Sequence, residues 1–157
     1  DPLWSRGLGD VYKRQKVLIL NGPNLSRLDI RDSKYYGDLN WQELCNLVIQ
    51  GAKDLDLDAD MRQSDDEATI VGWLHEAADK NLPVIINPAA FTHYSVAIHD
   101  AAEMLKTPLI EVHLSNPMAR EEFRHTSVIS GVAKGTIAGF GPNSYLLALS
   151  ALKSLIS

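Results

Sequence analysis

"KVLILNGPN", residues 16–24, is an apolar run that stops abruptly in turn residues. Lys16 to Leu20 reads as a buried strand, and Asn-Gly-Pro-Asn as the loop that follows it. The same signature recurs downstream. "PVIINP" (83–88) and "PLIEVHL" (108–114) read as buried strands, "LDADMRQ" (57–63) alternates weakly as another, and "GTIAGFG" (135–141) reads as the last. Helical patterns lie between them. Trp41, Leu44, Cys45, Val48, Ile49 and Ala52 form one stripe, with Asn40 and Glu43 spaced as a capping box. Ile70, Val71, Leu74, Ala77 and Ala78 share a face over 67–80. Further helices are expected over 95–106 and 142–157, with a short helical turn at 119–125.

Strands alternating with helices at this spacing indicate an α/β domain, with a parallel sheet covered on both faces. Right-handed crossovers leave few topologies, and five strands suit the flavodoxin-like three-layer order 2-1-3-4-5. Residues 16–157 form one such domain. Residues 1–15, "DPLWSRGLGDVYKRQ", begin without Met and show no clear period, so they are expected to be a non-native or disordered extension outside the fold.

The chain has 157 residues, 45% hydrophobic and 22% charged, with a formal net charge of −5. That length suits a single domain. The charge argues against nucleic-acid or anionic-membrane partners, so a basic cluster must serve a small anion locally. No apolar run approaches the ~20 residues of a membrane span. The single Cys45 forms no internal disulfide and no zinc site alone; its place in the helical stripe makes it core packing. A cytoplasmic location is expected.

In such sheets the ligand sits beyond the carboxyl ends of the strands. Those ends carry Asn21 and Asn24, Gln63 and Ser64, Asn87, then His113, Ser115 and Asn116. Polar groups therefore converge on one rim. The richest stretch is "EVHLSNPMAREEFRH" (111–125), which crowds two His, a Ser, an Asn and two Arg after an apolar strand. "NGPNLSRLDIRDSKYYG" (21–37) adds Arg27, Arg31, Tyr35 and Tyr36, and "NPAAFTHYSVAIHD" (87–100) adds His93. Taken singly, the first of these is as readily a plain surface loop, and His93 more readily structural.

Several familiar motifs fail. "HEAAD" (75–79) lacks the second His of a zinc helix, leaving His75 as a helix-face residue. "GVAKGT" (131–136) lacks the ending of a phosphate loop. "GFGPNS" (139–144) half matches a dinucleotide fingerprint but follows the last strand. No nucleophile elbow is present. The first strand's loop offers neither a hydroxyl-rich flavin turn nor the acidic pair of a phosphoreceiver.

The ordered set "NGPNL", "YG", "QSDDEATIVGWLHEA", "INPAAFTHYSVAIHD", "IEVHLSNPMAREEFRH" and "GFGPNSYLLAL" resembles type II 3-dehydroquinate dehydratase over residues 16 to about 152. The resemblance implies a lyase of the shikimate pathway that needs no cofactor and no metal. It implies dehydration of 3-dehydroquinate to 3-dehydroshikimate by anti elimination through an enolate. Tyr36 would be the base, acting as phenolate, with Arg31 and Arg120 as its cations. His113 would be the general acid, oriented by Glu111, and Asn24 would hold a water against the enolate oxygen. Asn87, His93 and Arg124 would contact substrate hydroxyls, and Leu114 and Ser115 the carboxylate. Asp100 would reach into a neighbouring subunit's site, which implies a homo-oligomer, a dodecamer built from trimers. Ala89, Met118, Thr126 and Ser144 depart from common family residues: Gly, His, His and Gly. A flavodoxin-like small-ligand binding module without catalysis is the alternative, and a catalytically dead assembly protein a third, because fold alone does not fix function.

Overall fold

A parallel sheet must bury both faces, and β1 (Gln15–Asn21) shows how this chain does so. Val17 and Ile19 point to one side, among Leu44, Val48, Tyr145 and Leu149; Leu18 and Leu20 point to the other, among Ile70, Leu74, Ile98 and Ala101. All four β1 residues are fully buried, as the period-two geometry of a central strand requires. The computed structural model describes residues 14–157. Its other strands are β2 (Leu57–Gln63), β3 (Val84–Asn87), β4 (Leu109–His113) and β5 (Gly135–Ala138). All pair in parallel, in the order β2-β1-β3-β4-β5. This is the expected three-layer α/β topology.

The helices are α1 (Ser33–Tyr36), α2 (Trp41–Asp54), α3 (Glu67–Lys80), α4 (Val96–Glu103) and α5 (Asn143–Ile156). Helices α2 and α5 cover one face of the sheet, and α3 and α4 the other. The capping box forms as expected: Glu43 N donates to Asn40 Oδ1 at 2.8 Å, and Asn40 N donates back to Glu43 Oε1 at 3.2 Å. Cys45 is buried in the α2 stripe, where burial pushes its thiol up from the ordinary value. His75 lies exposed on α3. No helix among the described residues is long and apolar enough to cross a membrane.

The boundaries differ from the sequence expectation where tertiary contacts intervene. Strand β1 begins at Gln15, one residue early, because Gln15 pairs with Leu57 and Arg14 Nε bonds Asp56 Oδ1 at 3.1 Å. The rest of the expected extension, residues 1–13, lies outside the described residues. Helix α4 ends at Glu103, short of 106, ahead of Pro108, which cannot donate to a further helical turn. The turn expected at 119–125 splits into 3₁₀ turns at Pro117–Ala119 and Glu122–Arg124, because Arg120 between them is extended. Strand β5 stops at Ala138, where Gly139 turns at φ +96°.

Helix α1 was not expected at all. Asp32 caps it by accepting from Lys34 N at 3.0 Å, and Gly37 ends it at φ +83°. A Cβ on Gly37 would lie 2.9 Å from Pro142 Cδ, so this position suits glycine on two counts. The rim is equally constrained at Gly22, whose N donates to Asn87 O at 2.8 Å and whose absent Cβ would sit 2.5 Å from Pro88 O. That close approach locks the β1 and β3 loops together beneath the cleft.

Candidate active site

Parallel register brings the carboxyl ends of the strands level, so their loops share one rim. Asn21 is opposite both Gln63 and Asn87, and His113 ends β4 beside Ala138. Above this rim lies a cleft lined by ten of the twelve residues singled out in the sequence: Asn24, Arg31, Tyr36, Asn87, His93, His113, Leu114, Ser115, Arg120 and Arg124. Glu111 lies directly behind His113, fully buried. Asp100 is the exception, exposed on α4 and absent from the cleft wall.

Helix α1 holds Tyr36 with its ring in the core and its hydroxyl at the cleft. Two guanidinium groups donate to that one oxygen. Arg120 Nη1 does so at 2.7 Å, and Arg31 Nη2, five residues before Tyr36, does so as well. The Arg31 guanidinium also sits 3.7 Å from the Tyr36 ring centroid. Burial lowers Arg31 from its ordinary value and the charges of Arg120 and Arg124 add to this, while attraction to Tyr36 opposes it. Three cations thus face one cavity in a chain of net charge −5. Such a site suits a small anion, and negative charge developing on the phenolic oxygen would find two donors already in place.

Strand β4 supplies the second pair. Glu111 and His113 are two residues apart and share one face of the pleat. His113 Nε2 donates to Glu111 Oε2 at 2.5 Å, which leaves Nδ1 as the ring atom free to act on a ligand. Burial works to raise the Glu111 carboxyl. Its hydrogen bond from His113 and that ring's charge, with bonds from Ser130 and Thr92, outweigh burial and hold it below the ordinary value. Across the cleft, His93 Nδ1 lies 2.8 Å from the Thr126 carbonyl. A carbonyl only accepts, so Nδ1 carries a proton and Nε2 is the ring atom left for a ligand.

Comparison with known proteins gives the family. The model of the family described as dehydroquinase class II matches residues 15–153. The 3-dehydroquinate dehydratase of Salinispora tropica is 52% identical over 134 residues, covering 85% of this chain and 94% of that protein. The 3-dehydroquinate dehydratase 1 of Agrobacterium fabrum is 45% identical over 139 residues, covering 88% and 96%. The crystal structure of type II dehydroquinase from Propionibacterium acnes superposes with a TM-score of 0.87 at 50% identity, covering 89% of this chain and 97% of that one. The chain belongs to the class II dehydroquinase family.

Within this dehydroquinase, not every polar rim residue faces the cleft. Asn21 is fully buried and accepts from Tyr145 Oη at 2.6 Å; Asn87 Nδ2 donates to the same hydroxyl at 2.9 Å. Burial pushes the Tyr145 phenol far above its ordinary value, so it acts as a neutral peg that orients Asn87. Gln63 is spent on Gly22 O and Asp65, and Ser64 Oγ on Asp66 N. Asn116 caps Met118 N. Arg124 is in the cleft wall, its Nε paired with Glu121 at 2.5 Å.

The departures from common family residues sort by what they touch. Thr126 contributes only its carbonyl to His93, a bond that survives substitution. Ser144 Oγ accepts from Phe140 N at 3.0 Å, a local cap. Met118 is exposed near the rim. Ala89 lines the cleft and adopts φ +50°, a left-handed conformation that glycine accepts without strain.

The sequence reading missed the hydroxyls behind Glu111. Thr92 Oγ1 donates to Glu111 Oε2 at 2.5 Å, Ser130 Oγ donates to Oε1, and Ser127 lies 2.6 Å from Thr92. Nothing local marks these three residues. Only the buried Glu111, in the middle of an apolar strand, signals that donors must exist somewhere. Away from the cleft, His99, Asp100 and Glu103 form a surface cluster on α4, with His99 Nδ1 2.9 Å from Asp100 Oδ1 and 3.3 Å from Glu103 Oε1.

Proposed function

We propose that this chain dehydrates 3-dehydroquinate to 3-dehydroshikimate in the shikimate pathway, with the residues of the cleft in the following roles. Tyr36, as phenolate, removes the proton alpha to the ketone. Arg31 and Arg120 balance the charge on its oxygen. Asn24 holds a water against the enolate oxygen that forms. The imidazolium of His113 then gives its Nδ1 proton to the departing hydroxyl, which leaves as water, while Glu111 stays ionised behind the ring. The proton on Tyr36 passes to His113, directly or by exchange with solvent, which restores the phenolate and the imidazolium. The substrate carboxylate lies at Leu114 and Ser115, and its hydroxyls contact Asn87, His93 and Arg124.

One observation carries this reading: a phenolic oxygen bracketed by two guanidiniums shares a cleft with a carboxylate-backed histidine. That pairs a base, and charge to support it, with an acid. Asp100 fits only if chains associate. It is exposed and outside its own chain's cleft, so its role requires a neighbouring copy in a homo-oligomer, in the family pattern a dodecamer of trimers. The lone unpaired Cys45 is in keeping with a cytoplasmic enzyme.

The test is direct. Purified protein given 3-dehydroquinate should show growing absorbance of the conjugated enone. Tyr36→Phe and His113→Asn should each lose that signal while keeping the parent's melting temperature. A flat trace from the unmodified protein would overturn the assignment. Turnover by both variants at the parent's rate would overturn the residue roles alone.

A further inference from the structure

We infer that Thr92, Ser127 and Ser130 are positioning residues: a one-way chain of hydroxyls that keeps Glu111 an oriented carboxylate and so fixes His113 with Nδ1 toward the substrate. The inference rests on the roles given to Glu111 and His113 above.

The direction of the chain follows from counting protons. Ser127 Oγ accepts two backbone donors, Ile129 N and Ser130 N, each at 3.0 Å. Its single proton must go elsewhere, and the nearest acceptor is Thr92 Oγ1 at 2.6 Å; the Glu111 oxygens are at 3.3 and 3.4 Å. Thr92, having accepted, turns its own proton to Glu111 Oε2 at 2.5 Å. Ser130 donates to Oε1, and His113 Nε2 donates to Oε2. Three donors therefore converge on a group with no exposed surface. A protonated carboxyl would give up the charge that these donors point at, and one hydroxyl would have to turn round to accept its proton. Glu111 therefore remains the anion while His113 loses and regains its proton.

The three hydroxyls come from separate parts of the chain. Thr92 is in the 3₁₀ turn Ala89–His93 after β3, and Ser127 and Ser130 are in the segment between the Arg124 turn and β5. Val128 N donates to Thr92 O at 2.7 Å, so backbone as well as side chains ties the two segments together. Successive hydrogen bonds pointing one way polarise each other, which strengthens the last bond to the carboxylate. Both segments also carry cleft residues: His93 follows Thr92 directly, and Arg124 precedes Ser127 by three.

The experiment compares Thr92→Val, Thr92→Ser and Ser130→Ala with the parent. Valine keeps the shape of threonine and removes the donor; serine restores it. Thr92→Val and Ser130→Ala should lower kcat by roughly 10- to 100-fold, the scale of one bond to a charged group, with KM nearly unchanged. Thr92→Ser should recover most of the loss. In the free protein, the proton NMR signal of His113 Nε2–H should move upfield or broaden in both weakened variants and return in Thr92→Ser. Parent-like kcat and an unmoved signal in Ser130→Ala and in folded Thr92→Val would overturn the inference. If Thr92→Val does not fold, Ser130→Ala alone decides. Glu111→Gln and His113→Asn run alongside separate the two failures. Full activity in those would refute the acid assignment itself; loss of activity there with no effect in the hydroxyl variants would refute only the positioning chain.

Discussion

Replacing Glu111 by Gln keeps the shape of the buried group and removes its charge, so the consequences can be worked from the bonds around it. The carboxylate takes three close donors, from Thr92, Ser130 and His113. An amide can keep its oxygen toward Thr92 and His113 and turn its NH₂ to Ser130, whose hydroxyl can accept. What disappears is the charge assistance, about 1 kcal/mol for each of three bonds, the difference between charged and neutral hydrogen bonds. Relief of burying a charge offsets part of this. The bonds win, because the folded carboxyl is held below its ordinary value despite burial. A net loss of about 1–2 kcal/mol at neutral pH follows, or roughly 2–8 °C in melting temperature for a domain of this size.

The sign with pH is set in the same way. A depressed folded pKa contributes stability that is present above the unfolded carboxyl value, ~4.3, and is lost as pH falls through the folded value. The melting-temperature gap between parent and Glu111→Gln should therefore be widest at neutral pH and begin to close below ~4.3, continuing through the depressed folded value. Glu76, lowered to about 2 by the hydrogen bonds of Arg62, makes both proteins acid-sensitive but cancels in their difference. The assay is thermal unfolding of both proteins from neutral pH down into that acid range. A gap that stays constant across the series, or no gap at neutral pH, would refute the claim that the Glu111 charge stabilises the fold.

Arg31→Ala should cut kcat by roughly 10- to 100-fold, more than it raises KM, with Arg120 still donating to Tyr36 at 2.7 Å. Arg31→Lys should rescue only in part, since it keeps charge without the planar fork; steady-state kinetics of both variants decide the matter. Ala89→Gly should stabilise the fold by about 1 kcal/mol, because Ala89 stands at φ +50°; an unchanged or lower melting temperature would show the conformation is not strained. Asp100→Ala and Tyr36→Phe should each be inactive alone, and mixing them with subunit exchange should restore some turnover if sites are shared between copies. No recovery after demonstrated exchange would confine the site to one chain.

The elements of this fold were legible in the sequence because their signals are local. The α2 stripe, the Asn40–Glu43 cap and the runs Leu57–Gln63 and Glu67–Lys80 depend on residues a few positions apart, and the structure places them where the pattern does. The cleft residues were legible for a related reason. Parallel strands end on one rim, so polar residues after strands converge whatever their separation in the chain. Boundaries failed where a distant contact decided them, as at Gln15 beside Leu57 or at Arg120, held extended while its guanidinium reaches Tyr36. Helix α1 failed because four residues carry too little periodicity to read, and the Pro142 ring whose close approach suits Gly37 lies far along the chain. The rim asparagines looked alike in sequence. Burial separated them, turning Asn21 and Tyr145 into a peg and leaving Asn24 exposed at the cleft. Least visible of all were the hydroxyls of Thr92, Ser127 and Ser130, since a hydrogen-bond partner for a buried carboxylate is chosen by proximity in space, and proximity is what folding creates.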